Sequence, residues 1–416
     1  MEKSNYCIHC DPYPQKSSHL LDRAALIVDS IVGPLNKLGD RVSRSFKSYP
    51  DLSKSVISTL FKILFKFKIL QELEIEGHEE SIYNRTLVVY REAKKRNVII
   101  RAVKVFGRVS NLFTIEARGI KKIFDGLPHL EIGGETIRDF DNKGELKKIF
   151  QGTNIPHPQG RVFYKTKTAV EYVENIIDYP VVVKPVSGSL SKHTICNITA
   201  ADQLKEAISI VRNINKLFVV EKYIAGNVYR ILVVGGEVIA SCYREPPNVV
   251  GDGVHAIDEL IEFKNRDHRR GDSNQKNTTL HKIVVSPRSF NVLATQNFSL
   301  KSILANGQKA YIHDKVILAC GADIHDTTDI THPDNIELFK KISALCGAPV
   351  IGIDFIVPDI ARPHHRQMCG VIEINSLPYI DMHHYPTTGK ARNVASQILD
   401  HYFAHAAFSD ALNQIN

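Results

Sequence analysis

Gly370-Val-Ile-Glu-Ile-Asn375 is a short apolar run that places two polar residues, Glu373 and Asn375, two positions apart. On a β-strand that spacing sends both side chains to one face, while the intervening Ile374 points to the other. Upstream, Val350-Ile-Gly-Ile-Asp-Phe-Ile-Val357 is a second strand pattern with one carboxylate, Asp354, inside it. An unpaired carboxylate among apolar residues is costly. Two carboxylates and an amide facing one side suit a hard cation with oxygen ligands. Taken singly, each of the three also reads as a hydrogen-bonded polar group in a core.

Working outward, Tyr179-Pro-Val-Val-Val-Lys-Pro185 is a strand ending in Lys184, an ammonium that either reaches to water or meets a phosphate. The segment after it contains Ser187, Gly188, Ser189, Ser191 and Lys192. Its small residues can turn backbone N–H groups toward phosphate, although most such loops are only loops. Val219-Val-Glu-Lys-Tyr-Ile224 runs from a strand into an extended linker, whose backbone groups can read an adenine edge. Tyr229-Arg-Ile-Leu-Val-Val234 is a further strand, carrying Arg230.

The remainder bounds the answer. With 416 residues the chain is long enough for two or three domains. The formal charge of +8 is spread along it, which suits a polyanionic ligand such as ATP or simply a solvated surface. No basic block interleaved with aromatics points to nucleic acid. No apolar stretch approaches a membrane span and the first residues lack a signal sequence, so a cytoplasmic protein is expected. The scattered cysteines, seven in number, argue for reduced thiols. Cys7 and Cys10 have zinc-knuckle spacing without a second pair, and a flexible tail over residues 1–20 is the alternative. Residues 21–75 read helical, with Val56, Ile57, Leu60, Phe61, Leu64 and Phe65 on one face. Thr86–Tyr90 reads as a strand, Arg91–Arg96 as a helix and Val98–Phe106 as a strand. Residues 264–280 are polar enough for a mobile loop.

The order of these features carries more than any one of them. Lysine in a strand, small-residue loop, Glu-Lys-x-Ile, Arg230, Asp354, then Glu373-x-Asn375 resembles the ATP-grasp superfamily. The blocks Tyr243–Ile261, Asp326–Pro333 and Asn375–His383, with Pro386, Gly389 and Arg392 beyond, are similar to those of cyanophycin synthetases and fused glutathione synthetases. The resemblance spans roughly residues 138–403. It implies an α/β (α+β) ATP-grasp fold over 136–416, a lid at about 178–226, and an N-terminal helical plus small α/β pre-domain over 21–135.

By residue, it implies that Lys147, Lys184, the loop residues 187–192, and Glu221, Lys222, Tyr223 and Ile224 hold ATP. Asp354, Glu373 and Asn375 become ligands of two magnesium ions, Arg230 and Arg244 lie near the phosphates and the acceptor carboxylate, and Arg392 lies near the substrate. His313 stands where the family has a phosphate-side arginine, with Lys315 two residues on; His193, Val228 and Ile317 also depart from the pattern. The implied activity is an ATP-dependent carboxylate–amine ligase on amino-acid or peptide substrates, acting through an acyl-phosphate. A kinase on the same fold and a nucleotide-binding regulator without turnover are the alternatives. A homo-oligomer without nucleic-acid or membrane partners is expected.

Overall fold

A computed structural model describes residues 62–405, apart from 118, 129–139, 187–192 and 214. The expected tail, the Cys7/Cys10 pair, residues 21–61 of the helical reading and the small-residue loop at 187–192 therefore lie outside the described residues. Of the rest of that reading, 62–66 are helical, but Leu70–Glu74 is a strand because it pairs with Arg101–Val105.

The chain opens with β1 (Leu70–Glu74), α1 (Asn84–Lys95), β2 (Ile99–Val105), β3 (Arg108–Ala117) and β4 (Ile120–Asp125). The four strands form an antiparallel meander in sequence order. Thr86–Tyr90, expected as a strand, is instead the middle of α1. Its β-branched residues favour strands locally, but Leu87, Val88, Val89 and Ala93 are all buried against this sheet, and tertiary burial overrides a weak local preference.

The next segment holds α2 (Lys143–Phe150), β5 (Gly160–Phe163), α3 (Thr166–Tyr172), β6 (Val181–Pro185), β7 (Ile195–Ile198), α4 (Ala201–Arg212) and β8 (Phe218–Lys222). Asn142 caps α2 by accepting from the Gly144 and Glu145 N–H groups. The strands pair in the order β5-β8-β6-β7. Helices α3 and α4 cover one face with Ala169, Leu204, Ala207, Ile208 and Val211, giving this four-stranded sheet its own apolar core.

The central sheet follows, with β9 (Asn227–Val234) and β10 (Glu237–Glu245) joined by a tight turn. An insertion then contributes β11 (Asn248–Val250), α5 (Ile257–Asn265), β12 (Arg270–Gly271), β13 (Leu280–His281), α6 (Pro287–Thr295) and β14 (Lys309–Tyr311). It has a small core of its own, including Val249, Ile257, Leu293, Leu304 and Ile312. The sheet resumes with β15 (Asp323–Asp326), α7 (Pro333–Cys346), β16 (Val350–Val357) and β17 (Gly370–Asn375), and the described chain ends in α8 (Asp381–His384) and α9 (Val394–His405). Strand order is β15-β10-β9-β16-β17, antiparallel throughout. The architecture is thus the expected α+β one. Residues 264–280 are better anchored than their polarity suggests, because Arg270 is buried and ion-paired to Asp323.

Alternation along β9 divides the sheet into two faces. Tyr229, Ile231 and Val233 pack with Ile351, Ile353 and Phe355 beneath α7 and α2. On the opposite face, Leu232, Val234, Ala240 and Val350 share one core with α1, the N-terminal sheet and α9. Arg230 is on this second face, two residues before Leu232, so the apolar contact gives way to charge along a single strand.

Phe124 shows how closely the N-terminal sheet is joined to the rest. It is fully buried, stacks on Phe113 at 5.6 Å between centroids, and meets the ring of Tyr402 on α9 edge-on at 5.2 Å. Phe124→Ala should cost about 3–5 kcal/mol, the usual range for truncating a buried aromatic. Hydrogen exchange should show protection lost in α9 as well as in the N-terminal sheet. Unchanged protection in α9 would contradict a shared core.

Candidate functional site

The register of the central sheet aligns a row of side chains across four strand pairs. Asp326 on β15 is opposite Cys242 on β10, Cys242 is opposite Arg230 on β9, Arg230 is opposite Asp354 on β16, and Asp354 is opposite Glu373 on β17. Directly paired residues in a sheet project from the same face. Arg244 and Asn375 extend the row, each two residues along its strand.

Asp354 is the hub. Arg230 Nε donates to its Oδ1 at 2.5 Å, and Arg244 Nη2 reaches its Oδ2 at 3.0 Å. All three side chains are largely buried. Burial alone would raise the Asp354 carboxyl, but the two guanidiniums hold it below the ordinary carboxylate range. Gly352, two residues before, gives Arg230 room: a Cβ there would be 3.2 Å from its Nη1 and 2.7 Å from the Pro378 ring. Between the arginines, the Cys242 thiol is pushed up to about 12, chiefly by burial, and stays neutral. Glu373 makes no hydrogen bond or ion pair with the described residues, and the buried Asn375 Nδ2 has no acceptor there.

A second cluster joins the lid to α2. Lys184 on β6 and Lys147 on α2 both contact Glu221 on β8, at 2.6 and 2.7 Å. Lys184 and Glu221 are diagonal neighbours, since Lys184 is opposite Val219. Burial opposes the charge on Glu221, and the two lysines outweigh it and lower its pKa. Gly160 on β5 is opposite Glu221, and a Cβ there would come within 2.7 Å of the Glu221 Cγ. The hinge continues from this point. The Lys222 and Tyr223 N–H groups donate to Gln159 and Pro180 carbonyls, and Ile224 is buried against Gly370.

Lys143, which the sequence reading passed over, lies between the clusters. It is buried, which lowers its pKa, and the charges of Glu373, Lys184 and Glu221 all reach it. A narrow cleft lined by Lys143, Lys147, His157, Glu221 and Val371 runs between the lid and β17. The signal was its place one turn before Lys147 on the same helix.

Other expected residues fall further out. Arg392 forms ion pairs with Asp326 at 2.6 Å and Asp329 at 3.0 Å, so its guanidinium is neutralised by two carboxylates. His313 is fully buried inside the insertion, where its Nε2 is 2.8 Å from the Val284 carbonyl; the structure does not bring it to the row. Lys315 is half-buried, and its charge reaches Asp314 and Cys196 on β7. The loop residues 187–192 are outside the described set.

Two more carboxylates at the sheet edge hold the insertion down. Asp323 pairs with Arg270 and with Lys264 at 2.5 Å, and Glu245 pairs with Lys309 at 2.6 Å and His325 at 3.2 Å. Glu245, Asp323 and His325 are close enough together to hold a metal ion. Asp323 already serves as counter-ion to the buried Arg270, and Glu245 to Lys309 and His325, so the cluster functions as a clamp.

A family profile described as a RimK-like ATP-grasp domain matches residues 140–249. A cyanophycin synthetase from Trichormus variabilis is 34% identical over 335 residues, covering 80% of this chain and 36% of that protein. A bifunctional glutathione biosynthesis protein from Clostridium perfringens is 27% identical, covering 80% of this chain and 42% of its own length. The crystal structure of a bifunctional glutathione synthetase from Pasteurella multocida superposes with a TM-score of 0.61 at 26% identity, over 79% of this chain and 44% of that one. The chain therefore spans well under half the length of these relatives.

The clamp gives a pH prediction. Burial works to raise the Glu245 carboxyl, but His325 and Lys309 hold it at about 2, against an ordinary 4.5. A depressed carboxyl binds fewer protons in the native than in the unfolded chain, so its stabilisation is complete above pH 4.5 and is lost as pH falls toward about 2. Glu245→Gln should flatten that limb in a series of unfolding midpoints against pH. A limb of unchanged slope would remove Glu245 from the account.

Proposed function

We propose, from the match of residues 140–249 to a RimK-like ATP-grasp domain, that the chain is an ATP-dependent ligase. It would activate the carboxylate of an amino acid or peptide as an acyl-phosphate and join it to an amine. The observation that carries this reading is the row Arg230–Asp354–Glu373 on one sheet face, with Arg244 and Asn375 beside it and Lys184 of β6 and Lys147 of α2 gathered on Glu221.

Lys147 and Lys184 converge on Glu221 and carry the positive charge that nucleotide phosphates require. Lys222 to Ile224 supply the backbone against which an adenine would lie. Arg230 and Arg244 would set two guanidiniums where negative charge develops, first on the oxygens of the transferring phosphoryl group and then on the carbonyl oxygen when the amine adds. Closure of the lid excludes water, which would otherwise hydrolyse the acyl-phosphate.

The residues fit magnesium. Asp354, Glu373 and Asn375 offer oxygen donors, Glu373 is uncommitted among the described residues, and the unmatched Asn375 amide leaves its group without a structural duty. Magnesium held by these residues would neutralise negative charge on the nucleotide phosphates. Asp354 is shared, because both of its oxygens are on arginines in this structure. A cytoplasmic setting accords with the free cysteines, and a homo-oligomer completes the proposal. Among the described residues no helix is long and apolar enough to cross a membrane.

The test is ADP release from Mg-ATP by the purified protein with pooled amino acids and short peptides, with mass analysis of products. Amine-dependent release and a new amide mass are expected. A stable phosphorylated product without amine dependence would indicate the kinase, and ATP binding without release would indicate the regulator. Glu373→Gln should abolish turnover with the fold intact, and Lys184→Ala should weaken ATP binding by about tenfold or more, the loss expected for one charged hydrogen bond. Normal turnover in either variant would sink these assignments.

A further inference from the structure

One buried side chain beside the charged row has no part in the reading above. His383 lies on α8, with 3% of its surface exposed, and neither ring nitrogen has a hydrogen-bond partner among the described residues. A neutral imidazole carries one N–H donor and one lone pair, and native structures seldom leave both unmatched in the interior. Its neighbour Met382 packs with Cys242 and Ile324, which seats α8 on the β10–β15 half of the sheet. The His383 carbonyl accepts from the Arg392 N–H at 2.8 Å, linking the helix to that arginine's backbone.

The charges that reach the ring belong to Arg230, His384, Asp326 and Arg244. Burial is the largest influence, and with the two arginines it brings the imidazole down to about 3, so the ring is neutral. Two more buried nitrogens on this face lack acceptors, Arg244 Nε and Asn375 Nδ2. Three unmatched polar side chains around one ion pair make a site prepared for an acceptor that a bound molecule brings.

We propose that His383 is a substrate-binding residue, donating its ring N–H, alongside Arg244 Nε, to an anionic oxygen of the carboxylate substrate. The inference rests on the ligase reading and names a residue of its acceptor pocket. The arginines supply the charge. The neutral ring supplies direction, since one N–H in a fixed orientation selects the position of one oxygen.

The experiment compares His383→Gln, which keeps a neutral N–H at similar reach, with His383→Phe, which keeps the bulk and loses the donor. ADP release is measured at saturating Mg-ATP against the concentration of a pool of the twenty L-amino acids and their glycyl dipeptides. The Phe variant should raise the apparent KM for the pool by about tenfold to a hundredfold, with the KM for ATP unchanged, as loss of a hydrogen bond to a charged group entails. The Gln variant should remain within about threefold of wild type. An unchanged pool KM in the Phe variant, a Gln variant as impaired as Phe, or parallel rises in both KM values would overturn the assignment in favour of packing.

A second readout observes the His383 ring itself in the wild-type protein. In wild-type protein labelled at histidine Cε1, the His383 resonance, assigned by its absence from His383→Gln, should move when the pool is added with magnesium and a non-hydrolysable ATP analogue. Pool-dependent ADP release with a stationary resonance would overturn His383 alone. Absence of both would overturn the ligase reading and His383 with it.

Discussion

The carboxylate of Asp354, held by two arginines in the interior of a sheet, is the constraint on which the site depends. A buried ion of either sign is expensive without its partner. Arg230 is directly opposite Asp354, and Arg244 reaches it from one strand further. That requirement fixes the register of β9, β10 and β16, because a slip of one residue would turn the arginine and the carboxylate to opposite faces. Once the register is fixed, Glu373, Asn375 and Asp326 have no choice of face. The same alternation continues into Leu232 and Val234, which dock the N-terminal sheet and α9. The apolar half of this face anchors the fold, and the charged half next to it is left for chemistry.

Two further constraints surround this hub. The lid folds around its own core and meets the rest through Glu221, whose carboxylate gathers a lysine from β6 and another from α2. A movement of the lid that separated those lysines would leave a buried carboxylate exposed to its full desolvation cost, so the pair of contacts keeps the cations together. The insertion is fastened differently, through Asp323 and Glu245 at the sheet edge. Its link to the row passes through β10 and β15, which carry Arg244 and Asp326 as well as the two clamp residues.

Much of this was legible in the sequence, and the unread parts share a cause. Glu373-x-Asn375 and Asp354 could be placed on one face because a strand has a fixed period of two, and the apolar runs around them left no other element type. The α+β character followed from the same runs. Thr86–Tyr90 was misread because β-branched residues carry a strand preference that only the burial of Leu87 and Val89 overrides. The anchoring of residues 264–280 escaped because Arg270 and Asp323 are far apart in sequence, and no local pattern reports a long-range ion pair. Lys143 and His383 escaped for the converse reason. Their character comes from what tertiary structure places around them: Glu373 and Glu221 in one case, Arg230 and Arg244 in the other. His313 looked catalytic by position alone, while in three dimensions its ring is committed to the Val284 carbonyl.

The central claim is that this face transfers the γ-phosphoryl group of ATP to a carboxylate oxygen and that an amine then takes the acyl group and displaces inorganic phosphate. That claim predicts the fate of one atom. With amino acids and peptides labelled with oxygen-18 in their carboxylates, each turnover should yield inorganic phosphate carrying one labelled oxygen, because the oxygen that attacked the γ-phosphorus leaves with the phosphate. Phosphate released with no label, under conditions where ADP forms, would show that no carboxylate was activated and would contradict the account.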